Sequence, residues 1–169
     1  MGVIDDRPLT NLASDSYWAT STTNVAIGSD GMRVYFGSEP THRTFDIRRF
    51  EGDASTTLTS VDGGPYVNAP LMPVDEAYVY FYSGTTVQRA SKSSASVAQT
   101  VVDAKPGHPS RAVIDPWSLY WIDERGLHVA PKGGGTVVDL AAVSQPYSLD
   151  QTTDYVVWTS ASGLSKIRK

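Results

Sequence analysis

The stretch "SLYWIDERGLHVAPKGGGTVVDLA", residues 118–141, decides the fold. It holds an apolar and aromatic run, a polar turn, a second apolar run ending in A-P-K, a glycine-rich turn and a β-branched run. Short runs of this kind bounded by Asp, Gly, Pro and Ser read as strands joined by tight turns. Working outward, the unit recurs. "SDGMRVYFGS", "VDEAYVYFYS", "IDPWSLYWID" and "LDQTTDYVVWTS" align at Phe36, Phe81, Trp121 and Trp158, separated by 45, 40 and 37 residues. A second landmark, Ile47, Val87, Leu127 and Leu164, recurs at 40, 40 and 37. Two independent landmarks at one period mark a repeat architecture.

The lysine of the unit recurs too, since "VQRASKSSASVAQTVVDA" matches "LHVAPKGGGTVVDLA" at Lys92 and Lys132 and shares its TVVD. The last unit reaches Lys169 in "LSKIRK" with no β-branched run after it, and "RPLTNLAS" at residues 7–14 has the missing character. The spacing therefore predicts that the N-terminal strand completes the last unit. Runs such as "YVYFY" and "LYWI" are apolar at every position, so both of their faces must be covered. Four-stranded antiparallel sheets of about 40 residues, packed face to face around an axis, make a β-propeller. The chain is expected to be all-β and a single domain. Its four four-stranded blades fall near residues 24–61, 68–103, 111–141, and 147–169 with 7–14. They would form a closed four-blade ring, half of a larger ring, or a piece of a longer propeller.

With 169 residues, 40% of them hydrophobic and 19% charged, the chain can bury a core without staples. The formal net charge is −4, and the basic cluster is confined to Lys166, Arg168 and Lys169, which argues against a nucleic-acid partner. The absence of cysteine excludes disulfides and thiolate chemistry. "MGVIDDRPLT" has no charged start followed by an apolar stretch, and no run approaches the roughly 20 apolar residues of a membrane span. The expectation is a soluble chain with no membrane partner and no readable address.

The pattern D-x-x-x-L-Y-W-x-D from Asp115 to Asp123, followed by A-P-K-G-G-G-T-V-V, resembles the YWTD-like β-propeller repeat family of bacterial, myxobacterial type. That family is related to the YWTD propellers of lipoprotein receptors. The resemblance covers nearly the whole chain. It is strongest at 115–141, then at 75–103, and weaker at 30–61, where the hairpin "GSEPTHRTFD" is enlarged. It implies a propeller and an extracytoplasmic setting.

Asp30, Asp75, Asp115 and Asp150 are four carboxylates at apparently equivalent places. Their repetition favours a structural part, because an Asp before a tight turn accepts hydrogen bonds from the following amides. Phe36, Phe81, Trp121 and Trp158 read as packing between blades. "KGGGT" at 132–136 lacks the glycine-to-lysine spacing of a phosphate loop and reads as a hairpin turn.

Function is expected in what does not repeat. The loops "SDSYWATSTT", "DGGPYVNAP", "DAKPGHPSR" and "AVSQPY" carry Tyr17, Trp18, Tyr66, Asn68, His108, Arg111, Gln145 and Tyr147 toward one face. Aromatic rings with a few polar groups make a binding surface for a protein, a glycan or a small polar ligand. His108 is the best placed of these for chemistry, yet nothing nominates a second acid or base beside it. His42 and His128 sit on other blades or strands, so no three-histidine metal site is expected. No G-x-S-x-G or H-E-x-x-H occurs.

The function expected is thus a non-catalytic binding module without metal or cofactor. The alternatives are a propeller enzyme of lyase, lactonase or hydrolase type using channel carboxylates and a divalent metal, or a half-propeller that homodimerises by strand sharing. The enlarged hairpin at 37–45, with His42 and Arg43 at its tip, is expected to be a longer loop rather than an outward contact arm.

Overall fold

Period-two alternation on both faces builds this molecule. The computed structural model describes residues 27–41, 44–51, 54–62, 73–103 and 109–169, and every regular element among them is a β-strand. Sheet 1 runs in order through β1 (Ile27–Ser29), β2 (Val34–Thr41), β3 (Thr44–Glu51) and β4 (Ala54–Asp62). Sheet 2 holds β5 (Tyr78–Ser83), β6 (Thr86–Ser91) and β7 (Gln99–Asp103), with Val74 bridged to Val79 where the other sheets carry an inner strand. Sheet 3 is β8 (Arg111–Ile114), β9 (Ser118–Asp123), β10 (Gly126–Pro131) and β11 (Val138–Ala141). Sheet 4 is β12 (Pro146–Gln151), β13 (Tyr155–Ser160) and β14 (Gly163–Arg168). All neighbours pair antiparallel, in chain order.

The middle strands explain why the sheets stack. Along β5, Val79 and Phe81 enter a core with Tyr35, Phe45, Ile47 and Leu58 of sheet 1, while Tyr80 and Tyr82 enter one with Leu119 and Trp121 of sheet 3. Along β9, Tyr120 and Ile122 join Leu149, Val156 and Trp158 of sheet 4. Successive side chains of a strand point to opposite faces, so each middle strand serves two cores at once. Burying each of these large side chains contributes about 1.5–3 kcal/mol. The chain is all-β, and its four sheets are the blades that the spacing predicts.

The repeat extends to an irregularity. Pairing of the third strand with the fourth slips between Ile47 and Arg48, between Val87 and Gln88, and between Leu127 and His128. The landmark residue of the sequence is in each case the buried residue before the slip. A bulge there sharpens the twist of the outer strand at the same point in three blades.

Two expectations need correcting. Asp150 does not hold the fourth equivalent position: Asp30, Asp75 and Asp115 lie six residues before Phe36, Phe81 and Trp121, and the residue six before Trp158 is Thr152. The turn confirms it, because the amide of residues 30, 75, 115 and 152 donates to the carbonyl three residues on in all four blades. The enlarged hairpin is not a longer loop either. The addition lies in β2 and β3, eight residues each against six in β5 and β6, with Thr41 paired to Thr44. His42, Arg43 and the N-terminal segment 7–14 lie outside the described residues.

Candidate functional site

The three repeated aspartates are consumed by the scaffold. One oxygen of Asp75 accepts from the amides of Ala77 (2.9 Å) and Tyr78 (2.8 Å), and the other accepts from the Tyr80 hydroxyl (2.9 Å) and from Lys132 Nζ of the next blade (2.8 Å). Asp30 repeats the set with Met32, Arg33, Tyr35 and Lys92, its ammonium contact being 2.5 Å. Asp115 repeats it with Trp117, Ser118 and Tyr120, while Lys169 stands farther off at 3.7 Å. Each set is therefore a tie from one blade to its successor. Arg49 and Arg89 strengthen two junctions by donating to the carbonyls of Lys92 (2.7 Å) and Lys132 (3.0 Å).

The electrostatics follow from the contacts. Lys92 holds Asp30 far below the usual carboxylate range against the opposing effect of burial. Burial pushes Asp75 up, but the Lys132 ammonium and the amides of Tyr78 and Ala77 outweigh it and leave the carboxyl lowered. At Asp115 burial is again outweighed, here mainly by the amides of Trp117 and Ser118. Burial, then the neighbouring aspartate, raises the phenols of Tyr35 and Tyr80. A carboxylate already bound by two amides, a phenol and an ammonium has little left to offer a divalent cation.

Blade 3 carries a cluster with no counterpart among the described residues of the other blades. The ring of His128, stacked on Trp121 at 5.5 Å between centroids, sets Nε2 3.0 Å from Asp123 and Nδ1 2.7 Å from Asp139. Asp123 is buried and also accepts from the amides of Arg125 and Gly126 and from the Arg125 guanidinium. Burial opposes its ionisation, but His128 and Arg125 outweigh that and lower its pKa. The sequence marks this site only faintly, by a histidine between the buried Leu127 and the half-buried Val129. Among the described residues, no group of three or more His, Asp or Glu is arranged to hold a metal ion.

Of the eight residues expected on the loop face, Tyr17, Trp18, Tyr66, Asn68 and His108 lie outside the described residues. The other three fall at one end of the sheets. Arg111 opens β8, Gln145 precedes β12, and Tyr147 is its second residue, all three exposed. Gln145 adopts φ 50°, a left-handed conformation that non-glycine residues seldom take. Arg111 Nη1 donates to the carbonyl of Ser110 at 2.7 Å.

At the opposite end, where the aspartate turns lie, blades 2 and 3 enclose an open cleft of about 580 Å³. Glu76, Tyr78, Arg89, Asp115 and Lys132 are among its walls. Arg89 lies 4.3 Å above the Tyr78 ring. Trp117, at the turn that borders this cleft, is 82% exposed, and sequence reading did not single it out as a site residue.

Comparison with known proteins follows the same lines. No family model and no curated protein matches the chain. Solved structures do. The computationally designed Ika4 protein is similar at 16% identity and a TM-score of 0.63, over 89% of this chain and 94% of that one. The nidogen/laminin complex is similar at 19% identity and 0.66, over 86% of this chain, and BamB from Moraxella catarrhalis at 13% and 0.60, over 83%. The fold is that of a β-propeller. The chain spans 60% of the nidogen/laminin chain and 41% of BamB, and at these identities the likeness is one of fold.

Proposed function

We propose that the chain is a non-catalytic binding module built from YWTD-like repeats, which presents its loop end to a protein, a glycan or a small polar ligand. The observation that carries this reading is the contrast between the two ends. At the turn end, the repeated carboxylates are bound by amides, phenols and ammonium groups of the scaffold. At the loop end, Arg111, Gln145 and Tyr147 are exposed beside the starts of adjacent inner strands, and a strained backbone holds Gln145 out. Rigid blades carrying irregular, aromatic and polar loops are how a scaffold offers specificity.

The test is a glycan and peptide array screen, followed by affinity measurement on single variants. Arg111→Ala and Tyr147→Ala, together with Tyr66→Ala and His108→Ala, are expected to weaken binding at least tenfold, or about 1.4 kcal/mol. Unchanged affinity in all four rejects the loop end.

Trp117 supports a second reading, with the ligand at the turn end. An indole projecting 82% into solvent beside a cleft is the kind of anchor that dominates an interface. In that case Trp117→Ala abolishes the binding that the loop variants leave intact.

A further inference from the structure

The cleft between blades 2 and 3 holds charges that the scaffold has used and one that it has not. Three carboxylates, Asp75, Glu76 and Asp115, stand among its walls against two cations, Arg89 and Lys132. Both cations are spent. Lys132 Nζ donates to Asp75 at 2.8 Å, while Arg89 donates through Nε to Gln99 (3.0 Å) and through Nη1 to the Lys132 carbonyl (3.0 Å). Asp115 is held by two amides and the Tyr120 hydroxyl, and its ammonium neighbour Lys169, 3.7 Å away, donates to Gln151 at 2.7 Å. Glu76 is different: it is exposed and, among the described residues, has no hydrogen-bond or ion-pair partner. Nor does it repeat. The residue after the aspartate is Gly31 in blade 1 and Pro116 in blade 3, and where blade 2 has Tyr78, blade 1 has Arg33, paired at 3.2 Å with Glu51. Blade 1 thus places a cation at a turn where blade 2 places a carboxylate and an aromatic ring. The facing rim is fixed, because the Lys132 amide donates at 2.9 Å to the carbonyl of Trp117, whose side chain is exposed.

We propose that this cleft receives a basic side chain, the ammonium of a lysine or the guanidinium of an arginine, presented by a peptide segment of a partner. Its volume of about 580 Å³ is that of a ligand site. Glu76 supplies the unpaired charge, and the indole on the rim offers a surface on which a cation and its apolar stem can rest. The competing chemistries fit less well. An anion would meet Glu76 and find both cations engaged, and a neutral ligand would take water from Glu76 without pairing its charge. A metal ion wants several converging oxygens, and no such group is present among the described residues. This inference rests on the second reading above, which puts the ligand at the turn end, and it adds the chemical class of that ligand.

Amide-resolved NMR titration of the whole isotope-labelled chain tests it. The probes are the blocked peptides acetyl-Gly-Arg-Gly-amide and acetyl-Gly-Lys-Gly-amide, with the corresponding Gln and Glu peptides as controls. The two basic peptides are expected to give saturable shifts at Glu76, Ala77 and Gly133, and the controls none. Glu76→Gln is expected to weaken that binding about fivefold and Glu76→Lys to remove it, with the rest of the spectrum unchanged because Glu76 holds no partner in the fold. Added salt should weaken binding to the parent chain more than to Glu76→Gln. Arg111→Ala, at the loop end, should leave the shifts as they are. Basic peptides that give no saturable shift at these amides, or that bind Glu76→Gln as tightly as the parent, overturn the proposal. Control peptides that shift the same amides when the basic ones do not overturn the cationic class alone and keep the ligand at the turn end. Array-selected binding that is lost in Arg111→Ala and untouched in Trp117→Ala overturns the turn-end reading, and the proposal with it.

Discussion

Lys132 of blade 3 donates its ammonium to Asp75 of blade 2 at 2.8 Å, across 57 residues of sequence. Both side chains are largely buried, and Asp75 is held at the same time by two amides and the hydroxyl of Tyr80. The contact is thus the last member of a set completed mostly within blade 2, and its strength can be compared with two homologous contacts in the same molecule.

Removing the ammonium should weaken the junction in proportion to its engagement. Lys132→Met is expected to cost about 2 kcal/mol, because it leaves a mostly buried carboxylate short of a charged donor. Lys169→Met, whose ammonium lies 3.7 Å from Asp115 and donates to Gln151 of its own blade at 2.7 Å, should cost less, about 1 kcal/mol. Urea unfolding midpoints at neutral pH check both; equal losses would show that the distances do not order the energies.

Acid should attack these junctions first. Asp30, Asp75, Asp115 and Asp123 all have their pKa lowered from the ordinary 3.8. The folded state therefore holds fewer protons than the unfolded chain, so the stabilisation is complete above the unfolded value and lost as pH falls through the folded ones. The melting temperature is expected to be level down to about pH 5 and to fall below about pH 4. Lys92→Met should flatten that acid limb most, because Lys92 is the main cause of the depression at Asp30. Calorimetry across pH 2–7 reads it directly.

The two carboxylates on His128 should not be equivalent. His128→Leu removes a donor from the buried Asp123 and is expected to cost about 2 kcal/mol. Asp139, 84% exposed at its side chain, makes a contact of similar length, but Asp139→Ala should cost under about 1 kcal/mol. Chemical denaturation of both variants settles the order.

The hairpin after Asp123 has no room for a side chain. At Gly126, φ is +151° and an added Cβ would stand 2.1 Å from the Ala141 carbonyl oxygen, so Gly126→Ala is expected to cost more than about 3 kcal/mol or to prevent folding. Gly84, at φ +62°, faces open space, and Gly84→Ala should cost only the backbone strain of about 1–2 kcal/mol. Comparing their melting temperatures checks the difference.

What could be read beforehand was what repeats and what is apolar. Phe81, Trp121 and Trp158 announced three junctions because each must be buried and each recurs near the same spacing. Asp150 misled because the last unit is shorter, and because a threonine hydroxyl serves the turn as well: Thr152 Oγ1 accepts from the Tyr155 amide at 3.1 Å. The lysine ties are not legible in the sequence, although Lys92 and Lys132 recur there, because spacing along the chain does not tell which blade a side chain leans on. The cluster at His128 escaped for a related reason, as its partners lie five and eleven residues away and meet it only through strand register. Of the loop residues, Arg111, Gln145 and Tyr147 lie at or just before the starts of β8 and β12, and the convergence of all eight on one face stays an expectation.

The ties also have a direction with respect to translation. In each of them the acceptor leaves the ribosome before the donor, by 54 to 62 residues. The carboxylate does not depend on that late donor alone, because its amide and phenol partners lie within five residues and emerge with it. Every newly made blade can therefore mature with its anion already sheltered, and the arriving lysine locks a finished surface. Lengthening such an array by duplicating one internal unit would add one donor and one acceptor together, leaving no ion without a counterpart.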